Sequence, residues 1–298
     1  MLVTDKVYKS KAKINLFLHV LSKEEKIFHN LQSITYFPNI YDTLSFSIKD
    51  IFCENYISNT INATGEFADF LPRPKNNSII KVIEFFQDTF SISDTIQVEL
   101  KKNLPIGGGI GGGSSNTAVT ILALNEIFSL GLSFVELLDI AKKFGSDVPV
   151  CMYQNSCIFE GKGEQTTPIE LPEIAILLIN PKEPLLTSKV FKTFDALEGA
   201  NASEKIENLK NLKLNNFDDL INFLATTKND LLDASVSLNK NIANILASLN
   251  SYTNPTLARM TGSGSTCFAI YNKVSDLQMA KKTMKALYPK AWVVSSRL

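Results

Sequence analysis

Histidine is almost missing from this chain: His19 and His29 are the two imidazoles in 298 residues. The four cysteines, Cys53, Cys151, Cys157 and Cys267, form no C-x-x-C pair. Together these scarcities argue against a zinc site of the usual spacings and lead us to expect no resident metal and reduced thiols. Net charge is missing too, with 30 Lys plus Arg against 30 Asp plus Glu. No global positive field therefore gathers nucleic acid or anionic lipid, and neither is expected as a partner. Long apolar runs are also absent. The stretch 14–21 is interrupted by Asn15 and His19 and has no small-residue cleavage site after it. Nothing approaches the roughly 18 apolar residues of a membrane span, so a soluble cytoplasmic protein is expected.

What is present is the apolar content of a folded chain: 45% hydrophobic, 20% charged and a mean hydropathy of +0.04. The length exceeds the roughly 100–200 residues of a usual domain, which favours two domains. Near the start, Ala12, Ile14, Leu16, Leu18 and Val20 alternate with Lys11, Lys13, Asn15, Phe17 and His19. That pattern predicts one strand over 12–20 with polar groups on its second face. Strands are predicted over 32–37, 43–48 and 95–100, with a helix over 78–86. From Asn116, apolar residues recur at helical spacing until Gly131, and the next helix opens on a capping box, Ser133 with Glu136, and stops at Gly145.

A strand returns over 157–165, and the proline-containing stretch 166–172 is the expected boundary between domains 1–166 and 167–298. The second half opens with a buried strand over 174–180. Helical segments follow from Ser188 and over 218–225, 242–249 and 276–287. Strands flank Gly262-Ser263-Gly264, and a last one covers 291–296. The order predicts an α+β fold, antiparallel strands covered by helices.

The densest chemical signal is the run Leu104 to Asn116, in which six of the seven residues from Gly107 to Gly113 are glycine and a helix follows. Glycines let consecutive backbone N–H groups approach an anion, and a helix N-terminus adds partial positive charge. A phosphate site is the natural reading, against a flexible connector. Three phosphate-loop patterns compete for it. The Walker A pattern aligns Gly107, Gly112 and Ser114 but places Gly113 where its lysine should stand. The dinucleotide fingerprint is met by Gly107, Gly109 and Gly112, as any run this dense would meet it, yet no acidic residue follows at the needed distance.

The third pattern fits. Pro105-Ile106-Gly107-Gly108-Gly109-Ile110-Gly111-Gly112-Gly113-Ser114-Ser115-Asn116 resembles the second motif of the GHMP kinases, in the glycine-expanded form of their diphosphocytidyl-methylerythritol kinase branch. Two further stretches are similar to the first and third motifs of that family: Ala12-Lys13-Ile14-Asn15-Leu16-Phe17-Leu18-His19-Val20 and Met260-Thr261-Gly262-Ser263-Gly264-Ser265-Thr266-Cys267-Phe268-Ala269. Shorter matches lie at Phe28-His29-Asn30-Leu31-Gln32, Gly145-Ser146-Asp147-Val148-Pro149 and Gly161-Lys162-Gly163-Glu164. In sequence order they run from residue 12 to residue 269. Three positions depart from the family: Ile27-Phe28 stands where Gly-Tyr is usual, and Lys11 where a proline is common.

The resemblance implies the two-domain GHMP kinase fold, a mixed α/β ATP-binding domain followed by a ferredoxin-like one. It implies ATP and Mg²⁺ as cofactors and phosphorylation of a cytidine-diphosphate-linked methylerythritol in non-mevalonate isoprenoid biosynthesis. It implies Lys13 and Asp147 as the catalytic pair, Asp147 as general base and Lys13 polarising the acceptor hydroxyl. By the same resemblance Pro105 to Ser115 bind the nucleotide, and Asn15, Phe28, His29, Phe191 and Gly264 bind the acceptor, with Phe28 and Phe191 against the base. The residues alone leave blander roles open: Lys13 solvated on a strand, Asp147 capping a short turn, His29 in a core or at the surface, Phe191 as helix core. Other activities of the superfamily, on homoserine or mevalonate, and a non-catalytic ligand sensor on the same fold remain alternatives. The chain is expected as a monomer or a homodimer.

Overall fold

The computed structural model describes residues 2–3, 6–24, 28–49, 58–161, 165–197 and 202–297. The chain forms two compact units, each drawn from several stretches. Met1–Ala12, Tyr41–Ile106 and Gly111–Gln154 make the first; Lys13–Ile40, Gly107–Ile110 and Asn155–Leu298 make the second. The boundary expected from the sequence is at 166/167. That position lies inside the strand Gln165–Pro168, which pairs antiparallel with Cys157–Gly161, Thr166 opposite Phe159. The strand is at the sheet edge, where a proline removes no needed ladder bond.

In the first unit, Tyr41–Lys49 and Thr95–Lys101 pair antiparallel with Leu44 opposite Leu100 and Phe46 opposite Val98. Thr60–Thr64 adds in parallel beside Thr95–Lys101, and Leu2–Val3 and Tyr8–Lys11 pair with Tyr41–Lys49. Leu44, Phe46, Ile48, Ile96, Val98 and Leu100 are buried at alternating positions, the signature of one sheet face turned to a core. The helix Ser78–Phe90 buries Ile79, Val82, Ile83 and Phe86 and packs on the helix Gly112–Ile127. Gly112–Ile127 is buried from Ser115 through Ile121 without a break, as befits a helix enclosed on most faces. It starts four residues before the apolar spacing does, because its first turn is glycine and serine, which carry no hydrophobic period. The capping box forms as expected: the Ser133 N–H donates to Glu136 at 2.8 Å, opening the helix Phe134–Lys142.

The second unit holds two sheets. Phe28–Tyr36 is central to one, paired with Cys157–Gly161, Ile14–Asn15 and His19–Glu24. The single strand predicted over 12–20 is instead broken into pieces. Its polar face is not solvated: Lys13 is 4% and Asn15 2% exposed, as deeply placed as Ile14 and Leu16. With both faces enclosed, the chain leaves the ladder to bond elsewhere, the Leu18 N–H donating to the Lys228 carbonyl at 3.0 Å. The other sheet runs Leu257–Met260, Cys267–Tyr271, Ala175–Asn180, Trp292–Ser296, all antiparallel. With Asn241–Thr253 before the hairpin and Val274–Leu287 after it, this is the split β-α-β order of a ferredoxin-like layer. Among the described residues no helix is long and apolar enough to cross a membrane.

Candidate active site

Two glycine loops meet in the second unit. The Thr266 N–H donates to the Gly108 carbonyl at 3.1 Å, the Leu185 N–H to Gly107 at 3.0 Å, and the Lys13 N–H to Ile110 at 2.9 Å. The approach is as close as glycine allows. A Cβ on Gly109 would lie 2.6 Å from the Gly264 oxygen, and one on Gly262 would lie 2.5 Å from the Gly109 oxygen. Both residues have positive φ, +72° and +57°, a second reason why no side chain is accepted there.

Lys13 and Asn15 are tied to this cluster. The Asn15 N–H donates to Thr261 Oγ1 at 2.8 Å, and its side-chain amide donates to Ser33 Oγ at 2.8 Å. Ser33 in turn donates to the Phe17 carbonyl at 2.5 Å. The Lys13 ammonium lies 5.7 Å from the centre of the Phe159 ring, a cation–π distance. The C-terminal loop is held from behind by side chains that the motif match did not single out. Asn229 donates to the Met260 and Gly262 carbonyls at 2.8 and 2.9 Å, Ser235 donates to Ser263 at 3.0 Å, and Asn180 donates to Thr266 Oγ1 at 2.8 Å. These positions are distant in sequence and sit in no glycine pattern, so nothing local marked them.

His29 and Phe191 are also brought together in this unit. Their rings stack with centroids 5.1 Å apart at 27°, and His29 Nε2 lies 2.8 Å from the Asp195 carboxylate. Asp195 is one turn along the helix Thr187–Ala196 from Phe191, so one helix face carries both partners of the imidazole. Phe28 begins the strand Phe28–Tyr36; its side chain lies outside the described residues, as do Lys162, Gly163 and Glu164.

The first unit holds the flanks of the glycine run, Pro105-Ile106 and Gly111 to Ser115, together with Asp147. Gly111 caps the helix Gly112–Ile127 in the left-handed conformation and offers no side chain to its first N–H groups. A Cβ on Gly113 would meet nothing within 4 Å. An uncapped helix start facing open space has donors to spare, which fits phosphate oxygens. Asp147 stands at the head of the short helix Val148–Met152, which packs on Gly112–Ile127. It occupies the N-cap position of that helix, and its side chain makes no capping hydrogen bond there. Gln154 closes this corner: it donates to Ser115 Oγ at 2.8 Å and accepts from the Lys11 N–H at 2.8 Å.

Comparison with known proteins shows the family and the fold. Residues 77–155 match the GHMP kinases N terminal domain and residues 206–290 the GHMP kinases C terminal. The chain is 33% identical over 292 residues to the 4-diphosphocytidyl-2-C-methyl-D-erythritol kinase of Ehrlichia ruminantium (strain Gardel), covering 96% of each chain. It is 30% identical to that of Bradyrhizobium sp. (strain ORS 278), covering 97% of this chain and 95% of that one. Among solved structures, a 4-(cytidine 5'-diphospho)-2C-methyl-D-erythritol kinase superposes with a TM-score of 0.76 at 20% identity, over 98% of this chain and all of that one. The homoserine kinase of Cytophaga hutchinsonii reaches 0.68 at 14% identity, over 99% of this chain and 96% of the other, the same fold with less in common. Full-length identity at this level, with both halves matched in order, makes the chain a member of the GHMP kinases, within their 4-diphosphocytidyl-2-C-methyl-D-erythritol kinase family.

Proposed function

We propose that this protein transfers the γ-phosphoryl group of ATP to the 2-hydroxyl of 4-diphosphocytidyl-2-C-methyl-D-erythritol, in the cytoplasm, as a step of non-mevalonate isoprenoid synthesis. The observation that carries the reading is full-length identity to curated kinases of that name, 33% across 96% of both chains. The retained Lys13, Asp147 and glycine loops support it.

In this reading Asp147 takes the proton of the acceptor hydroxyl as its oxygen attacks the γ-phosphorus and ADP leaves. Lys13 steadies the developing negative charge and Asn15 holds the acceptor. Pro105 to Ser115 receive the nucleotide, with the N–H groups at the start of Gly112–Ile127 on its phosphates. Gly264 and the pair His29 and Phe191, with Phe28, form the acceptor side. Mg²⁺ supplies charge neutralisation on the phosphates. Among the described residues no group of three or more His, Cys, Asp or Glu could hold a metal ion.

A coupled ADP-release assay tests the proposal. With ATP and the cytidine substrate the protein should release one ADP per acceptor consumed. Release with homoserine or mevalonate and none with the cytidine substrate would move the activity elsewhere in the superfamily, and no release with any acceptor would favour a sensor.

A further inference from the structure

The first unit contains a buried ion pair that the proposed catalytic residues do not explain. Asp42 is 0% and Lys102 2% exposed, and the Lys102 ammonium bonds Asp42 Oδ2 directly. Burial pushes the Lys102 amine down and the Asp42 carboxyl up, and their mutual attraction opposes both shifts. Such a pair is a poor source of stability, because the cost of removing two charges from water rivals their attraction.

The geometry shows what the pair does instead. Asp42 Oδ1 accepts from the backbone N–H groups of Asn103 at 2.7 Å and Leu104 at 2.8 Å. One carboxylate therefore grips residues 102–104, the segment that leads into Pro105 and the glycines. The Lys102 backbone is fixed as well, donating to the Thr64 carbonyl at 2.7 Å and accepting from Phe67 at 3.1 Å. On its other side the pair supports the helix that follows the glycines. The Lys102 ammonium lies 3.2 Å from where a Gly112 Cβ would stand, and the Asn116 amide, turned with its nitrogen inward, donates to Asp42 Oδ2 at 2.9 Å. Gly112 and Asn116 are the first residue and the second turn of Gly112–Ile127.

We propose that Asp42 and Lys102 are positioning residues for the nucleotide: through one carboxylate and one ammonium they clamp the entry of the glycine run and the first turn of the helix at its exit. The N–H groups of that turn are thereby held where phosphate oxygens meet them. The inference rests on the glycine run being the ATP site, and it predicts that nucleotide use depends on the pair more than folding does.

The test is steady-state kinetics and thermal melting of the double variant Asp42→Asn/Lys102→Met. Removing both charges spares the fold the lone buried charge that either single change would leave. The expected result is a melting temperature near that of the unmodified protein, a KM for ATP raised at least about tenfold and a KM for the acceptor unchanged. A wild-type KM for ATP, or equal rises in both KM values, overturns the proposal. Should the double variant not fold, Asp42→Glu decides, since it keeps the charge and displaces the carboxylate: a raised KM for ATP supports the clamp and an unchanged one overturns it. Gly113→Val separates this failure from that of the reading beneath it. If Gly113→Val leaves the KM for ATP unchanged, the glycine run is not the nucleotide site and the proposal falls with it. If Gly113→Val raises that KM and the pair variants do not, the role of the pair alone is overturned.

Discussion

The backbone N–H of Thr266 donates to the carbonyl of Gly108 at 3.1 Å, joining the two glycine motifs of the chain. The join leaves no room for a methyl group on either side. Gly109→Ala and Gly262→Ala should each cost about 1–2 kcal/mol for the positive φ alone, with the clash against the opposing carbonyl added. Both variants should melt lower and turn over more slowly, as thermal unfolding and kcat/KM would read. A wild-type melting curve for either would mean that the loops separate freely.

Gly113 makes the complementary prediction. It has ordinary helical φ and open space where a side chain would go, so alanine there removes backbone entropy from the unfolded chain and should raise helix stability by about 1 kcal/mol. The same methyl group would stand where the phosphates are proposed to sit. Gly113→Ala should therefore keep or raise the melting temperature while raising the KM for ATP. Gly112 is no substitute in this test, because its Cβ would point at Lys102 and Leu104, and the resulting clash would confuse packing with binding.

Lys13→Met and Asp147→Asn should each lower kcat by roughly 10²–10⁴, the usual cost of a positioned acid–base group, with nucleotide still bound. Methionine keeps the apolar stem where Lys13 is enclosed, so a melting curve accompanies the rate measurement. Turnover near normal in either variant would remove that residue from the chemistry.

Phe191→Ala separates a pocket wall from a packing residue. If the ring faces the cytidine base, its loss should weaken acceptor binding by about 1–3 kcal/mol and leave the KM for ATP unchanged. The stack on His29 predicts some loss of stability as well. A lower melting temperature with no change in the acceptor KM would make Phe191 a support for His29 and place the wall of the pocket elsewhere.

The thiols offer a test of packing. Cys151, Cys157 and Cys267 are buried; burial alone pushes the Cys157 thiol up to about 12 and the Cys267 thiol higher. At pH 8 neither carries an appreciable thiolate fraction, so iodoacetamide should modify them only after denaturation. Mass spectrometry showing prompt native alkylation at Cys157 or Cys267 would contradict the packing described.

How much of this was legible beforehand depends on the range of the interaction. Ser133 and Glu136 are three residues apart, and their capping box formed as the sequence implied. The alternation around Lys13 and Asn15 placed them on one side of the chain. It could not show that this side is enclosed, because the enclosing groups, Ser33 and Thr261, come from elsewhere in the sequence. Asp42 and Lys102 were invisible for the same reason: 60 residues separate them, and neither belongs to a motif. Each compact unit takes segments from several places in the chain, an arrangement that no local signal in the sequence carries.

The most direct measurement is the phosphorus NMR spectrum of the product formed from ATP and 4-diphosphocytidyl-2-C-methyl-D-erythritol. The 2-hydroxyl sits on a carbon that bears a methyl group and no hydrogen, so a phosphate placed there has no carbinol proton to couple with. The account predicts one new phosphomonoester resonance per ADP, unsplit by any proton on the ester carbon, beside the intact diphosphate. A new resonance split by such a proton would place the phosphoryl group on another hydroxyl, and no new resonance at all would show that this acceptor is not the substrate.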